Sequence, residues 1–212
     1  MKGITFGSYH SFDNLNLILN SKEIGSPAVK ERKIDVEGAD GSLDLTDFFG
    51  EAKYEDVRHK FQFSTLVAPS EFPTLFSTVK NALHGKKMRI ILDDDPHFFY
   101  IGRLYVSNFT SEKNIGIISI EADCEPYKMK MEQTVIQKTI NGSGTVTLSN
   151  SRKRAVPTIT TTASMTLAFG DGSWTVNAGT FQIPELELTE GNSVITVTGT
   201  GTITFTWQEG EL

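Results

Sequence analysis

The sequence is short of nearly every residue pattern that announces a chemistry. It holds a single cysteine, Cys124, in 212 residues. That excludes a disulfide framework within the chain and points to a reducing place of synthesis. No apolar run approaches the roughly eighteen residues that a membrane-crossing helix needs. The start, Met1 to Gly7, has no apolar stretch of the secretory kind. Positive charge is also scarce: 20 Lys and Arg stand against 26 Asp and Glu, a formal charge of −6. A protein that grips duplex DNA needs a basic face to displace counterions, so the balance argues against that class. It does not exclude a protein that lets nucleic acid pass without holding it. There is no nucleophile elbow, no phosphate-binding loop and no dinucleotide fingerprint; Gly199-Thr200-Gly201 opens no helix.

What is present divides at Glu121-Ala122-Asp123-Cys124-Glu125-Pro126-Tyr127-Lys128. The length suits two domains, each with a core of its own. Residues 1–130 carry all four histidines and mix strand patterns with one helix pattern. Leu15–Leu19 reads as a short strand. In Val29–Glu37 the β-branched Val29, Ile34 and Val36 are separated by charges, the pattern of a strand with one solvated face. Asp40-Gly41 supplies a tight reversal. Ser42–Gly50 reads as a compact loop whose adjacent Phe48 and Phe49 must be buried or seated against a neighbour. In the long strand Tyr54–Val67, Phe61 and Phe63 point one way, Lys60 and Gln62 the other.

The helix is expected over about 70–84. Ser70 suits an N-cap, Pro73 the first turn and Gly85 the C′ position. Phe72, Phe76, Val79 and Leu83 form its apolar stripe. Strand, turn and strand follow over Lys87–Leu92, Asp93–His97 and Phe98–Leu104, with a last strand at Ile115–Cys124. Residues 131–212 carry no helix pattern. Short Thr-rich strands alternate there with turn signals at Asn141-Gly142, Gly170–Gly172, Glu190–Asn192 and Gly199–Gly201. Turns every eight to twelve residues mark an antiparallel sandwich. The fold class is thus mainly β: a sheet domain with one α-helix, then a β-sandwich.

Few residues compete for a functional role. Asp93-Asp94-Asp95-Pro96-His97 groups carboxylates and an imidazole, but it lacks the alternate ligands, central Gly and terminal Glu of a calcium loop. A hairpin tip explains it better, and no metal, cofactor or catalytic residue is assigned. His10 and His59 have no partners at ligand spacing, and His84 suits a charge at the helix C-terminus. Cys124 reads as a small buried hydrophobe. Trp174 and Trp207 could stack on sugar rings, although filling the core between two sheets suits both better. Ser151-Arg152-Lys153-Arg154 reads as a solvated turn.

Several pieces together, in order, resemble a known family. They are Asp40–Thr46 followed by the Tyr54–Val67 strand, the hairpin Leu92–His97 leading to Tyr100–Leu104, and Glu121–Lys128. They are similar to the distal tail proteins of long-tailed (siphovirus-type) bacteriophages, the Gram-positive-host type. The resemblance covers residues 1–130 by motif and 131–212 in kind. It implies a tail-tube-like β-sandwich or sheet domain with one helix, followed by a galectin-like antiparallel β-sandwich that docks other components. It also implies a non-enzymatic hub: a homo-hexameric ring at the virion tail tip, made in the host cytoplasm. That ring joins the tail tube protein to the tail-associated tip protein, anchors receptor-binding proteins in some relatives, and surrounds the DNA channel. Phe48 and Phe49 would be subunit contacts. The competing reading is a carbohydrate-binding sandwich using Trp174 and Trp207; a wall hydrolase would need paired carboxylates in a cleft.

Overall fold

The computed structural model describes residues 2–48, 50–65, 67–112 and 114–212. The chain forms two compact units, Met1–Pro126 with Leu212, and Tyr127–Glu211. The border falls inside the Glu121–Lys128 stretch.

The strands of the first unit are β1 (Ile4–Phe6), β2 (Tyr9–His10), β3 (Leu17–Glu23), β4 (Lys33–Asp35), β5 (Ser42–Asp44), β6 (Val57–Thr65), β7 (Lys87–Leu92), β8 (Phe98–Glu112) and β9 (Ile115–Cys124). Its helix is α1 (Phe72–Leu83). An antiparallel sheet runs in the order β2-β1-β7-β8-β9-β6-β3. Four strand spacings separate β1 from β6, which in a flat sheet would be roughly 19 Å. Yet the Phe6 ring lies 5.9 Å from Phe61 and 6.1 Å from Phe63. The sheet is therefore rolled, and its inner face closes on itself.

Alternation fills that inner face. Val57, His59, Phe61, Phe63 and Thr65 of β6 are all buried, while Arg58, Lys60 and Gln62 between them are exposed. On β9 the inward row is Ile118, Ile120, Ala122 and Cys124. A register shift between Val106 and Asn108 turns the outer part of β8 over by one residue. Phe109 is thereby aimed at α1, where it meets Phe72 edge-on at 5.7 Å and stacks on Phe76 at 5.3 Å.

The helix packs its stripe as expected, with Val79 and Leu83 in the core. Its start differs. Pro69–Glu71 form a 3-10 turn, Glu71 takes the N-cap place, and the Glu71 carboxylate accepts the Ala68 N–H. Ser70 is inside that turn and caps nothing. His84 also departs from expectation. Its Nδ1 accepts the Val106 N–H at 3.1 Å, the donor beside the β8 irregularity, so it pins the helix end to the sheet.

The largest difference in this unit lies at residues 26–56. Among the described residues there, only Lys33–Asp35 and Ser42–Asp44 are strand, paired as a two-stranded hairpin, with Ile34 opposite Leu43. The reversal carries left-handed Gly38 and Gly41, in line with the expected turn. The hairpin does not join the main sheet, so it has two exposed faces rather than one.

The second unit contains β10 (Lys128–Lys130), β11 (Thr134–Asn150), β12 (Thr158–Thr161), β13 (Met165–Phe169), β14 (Gly172–Val176), β15 (Gly179–Gln182), β16 (Gly191–Trp207) and β17 (Gly210–Glu211). Asn141-Gly142 and Gly199-Thr200-Gly201 are not turns. They lie inside β11 and β16, each 17 residues long and paired without interruption from Thr134↔Trp207 to Asn150↔Gly191. Gly142 faces Gly199 at the midpoint of this ladder. One half of β16 pairs with β12, the other with β13. Inward residues of both halves, including Val146, Val197, Ile203 and Phe205, share one core. The ladder is folded over at its glycines, and the two halves serve as the two layers.

The fold-over requires glycine on β16. Gly199 and Gly201 adopt φ of +144° and +151°. A Cβ at Gly201 would lie 2.8 Å from Thr162 Oγ1 and 2.9 Å from Met165 Cε. Replacement by Ala should therefore cost both backbone strain and contact, about 2 kcal/mol or more. Gly142→Ala, with open space around it, should cost only about 1 kcal/mol. Urea denaturation of the two variants would show this order; a Gly201→Ala protein as stable as wild type would refute the fold-over.

Candidate assembly surfaces

Residues 26–56 make an arm rooted in the first unit. Its pairing starts with Glu55 N–H to Ala28 O and Lys30 N–H to Lys53 O, at 2.8 and 2.7 Å, and runs outward to the β4–β5 hairpin. No described residue of the arm is buried. One face carries Ile34, Val36 and Leu43; the other carries Lys33, Asp35 and Asp44. Val29, Ile34, Val36, Leu43 and Phe48 are 42–71% exposed. Phe48 is thus not buried within this chain, and Phe49 lies outside the described residues.

The root is held by an unusual polar contact. Gly25 N–H donates to His59 Nδ1 at 3.2 Å, and the His59 ring, 1% exposed, meets Tyr100 edge-on at 4.6 Å. Accepting at Nδ1 puts the neutral ring's proton on Nε2, which has no hydrogen-bond partner among the described residues. Burial holds the His59 pKa below its ordinary value and raises that of Tyr100. Cys124 is fully buried in the core, and burial pushes its thiol up to about 12. It is no nucleophile at neutral pH.

Three concavities stand out on the described surface of this unit. One spans β3, β6, β8 and β9 and is lined by Lys22, Glu23, Lys60 and Glu121 among other polar residues. A second is lined by Asp56, Lys87, Arg103, Asp123 and Glu125. Ion pairs cross this surface: Arg58 grips Asp123 with two hydrogen bonds of 2.7 and 3.0 Å, and Lys60 meets Glu23 at 3.3 Å. The third, about 580 Å³, lies between the β2 region and α1 and has no charged lining residue.

The Asp93–His97 hairpin separates its carboxylates. Asp93 Oδ2 accepts from Gly3 N–H at 2.6 Å and lies 3.2 Å from His10 Nε2, while Asp94 pairs with Lys22. His10 Nδ1 is 2.8 Å from Asp13. Among the described residues no cluster of three potential ligands converges on a metal position.

In the second unit the two indoles part company. Trp207 is 2% exposed in the core, its Nε1–H donating to Asn150 Oδ1 at 3.1 Å. It has no face left for a sugar. Trp174 is half-buried, its ring packed over Gly172. A stacking platform built from both indoles is not available. Sequence reasoning missed Glu209, a nearly buried carboxylate that accepts from Thr134, from Ser151 N–H and Oγ–H, and from Lys130 at 3.0 Å. Burial alone would raise its pKa; these donors outweigh burial and lower it. The basic cluster is tied down in the same region: Arg152 meets Glu190 at 3.1 Å and Arg154 meets Glu187 at 2.7 Å.

No family model matches the sequence, and no curated protein matches it. Structure does match. The crystal structure of the Dit protein of phage SPP1, described as a paradigm of the hub adsorption apparatus in phages that infect Gram-positive bacteria, superposes with a TM-score of 0.71. The match covers 100% of both chains at 14% identity. This chain has the fold of a phage distal tail protein. At that identity the likeness speaks for the fold, and it spans both units of the distal tail architecture from end to end.

The buried His59 gives a pH signature. Its folded pKa lies below the ordinary 6.5, so below that pH the unfolded chain binds a proton that the folded chain refuses. Stability is then lost as pH falls through and below 6.5, until the folded state also protonates. In urea titrations, His59→Gln, which keeps an acceptor for Gly25, should lose less stability than wild type between pH 7.5 and 5. Identical pH slopes would count against a buried neutral imidazole.

Proposed function

We propose that this protein is a structural subunit of a phage tail-tip hub and not an enzyme. In this reading the first unit forms a ring of six copies around the DNA channel, and the second, galectin-like unit projects as a docking module. The ring joins the tail tube protein to the tail-associated tip protein. Receptor-binding proteins attach at its periphery, and host recognition is theirs. The fold likeness supports the hub role, and the sixfold order comes from the family resemblance.

The observation that carries the reading is the arm. Ordering some thirty residues costs conformational entropy of roughly 1 kcal/mol or more per residue, and a segment with no buried side chain among its described residues recovers little of it. A neighbouring subunit that covers the Ile34–Leu43 face supplies the missing burial. Head-to-tail contacts of this kind close into rings when the rotation permits. The net negative charge agrees with a conduit, whose wall must not arrest a passing duplex.

Mass measurement in solution with negative-stain imaging tests the proposal; six-fold rings are expected, and a strict monomer at high concentration with no ring on tail tips would defeat it. Leu43→Ser and Phe48→Ser should each weaken assembly by about tenfold, the equivalent of ~1.4 kcal/mol of lost apolar burial. Circular dichroism and the urea midpoint of the monomer should stay unchanged, because neither side chain belongs to the core. Unaltered assembly would remove the arm as a subunit contact.

A further inference from the structure

We infer that the arm of one copy docks in the uncharged concavity between the β2 region and α1 of the next copy. The inference rests on the arm being a subunit contact and adds where it lands. The receiving surface is formed by Tyr9, Asn14, Leu15, Thr78, Asn81 and Ala82. Tyr9 and Ala82 give it apolar walls over buried Leu15, while Asn14, Thr78 and Asn81 give neutral polar groups at the rim.

Three observations select this site. The arm presents an apolar strip, Ile34, Val36 and Leu43, on one face of its hairpin. Covering charged groups with such a strip strips them of water without compensation, which is costly. Two other concavities described on the same unit are lined by Lys22, Glu23, Lys60 and Glu121, and by Asp56, Lys87, Arg103, Asp123 and Glu125. The concavity at α1 has none of these charges. It also lies beside exposed apolar side chains of its own: Tyr9 and Phe12 are 37% and 38% exposed. Finally, β2 is an edge strand paired only to β1, so the site sits at an open margin of the sheet where an incoming hairpin meets no obstructing strand.

The arm is long. At ~3.3 Å per residue, the extended run from Ala28 to Val36 carries the strip about 26 Å from its root. No described residue of the arm is buried in its own chain, so the acceptor belongs to a second copy. The contact is heterologous: one surface gives, a different one receives. Such a contact propagates around a ring rather than stopping at a dimer.

Photo-crosslinking locates the landing site. A benzophenone side chain at Leu43 of the full chain, irradiated at high protein concentration, should yield covalent species of two or more copies. Their crosslinked peptides should contain residues 8–15 or 78–82. Asn81→Arg in the same background should reduce the crosslinked yield at least tenfold while leaving the urea midpoint unchanged, since Asn81 is exposed. Crosslinks that map to the charged concavities, or to a second arm, would overturn the docking site while leaving the arm as a subunit contact. A monomer by mass with no intermolecular crosslink would overturn both.

Discussion

The rolled sheet of the first unit fills its interior with its own side chains, and the rest of the account depends on that closure. Phe6 from near one margin meets Phe61 and Phe63 from near the other. Once these rings and the α1 stripe are in place, the unit has a core built from its own strands and helix. The arm leaves that interior at Gly25 and returns at Val57. Whatever the arm buries must therefore be found elsewhere. A fold with a closed core and an uncovered arm suits the assembly role proposed for it.

The two units handle strand edges and curvature by different means. In the first, a register shift in β8 turns one strand over and brings Phe109 to the helix. In the second, glycines at the centre of a 17-residue ladder let one pair of strands supply both layers of a sandwich. Both devices place residues that hydrophobic alternation alone would misassign. Glu209 adds a polar lock, holding Lys130, Thr134 and Ser151 around one carboxylate and so tying β10, β11 and the following loop together.

How much of this could be read from the sequence depended on whether local patterns had one physical meaning. The alternation in Val57–Thr65 and the stripe of α1 were legible because burial on one face leaves a periodic trace. Gly199-Thr200-Gly201 was misread because glycine pairs serve turns and bends equally well. What would have separated them is symmetry: two 17-residue runs, each with glycine at its centre, match residue for residue. The arm was half legible. Its β-branched residues and its reversal were visible, and the apolar Phe48 suggested a neighbour. That the hairpin stands apart from the sheet left no local signal, because pairing to a sheet is decided by distant partners. Glu209 was invisible for the same reason: its donors come from residues more than fifty positions away.

The central claim is that the arm obtains its burial from another copy of the chain. Hydrogen–deuterium exchange over residues 28–55 measures this most directly, compared between dilute monomer and assembled protein. Exchange in the arm should be fast in the monomer and slow by at least tenfold in the assembly, while β6 and β9 are protected in both. An arm equally protected at all concentrations, or equally fast in the assembled state, would contradict the account.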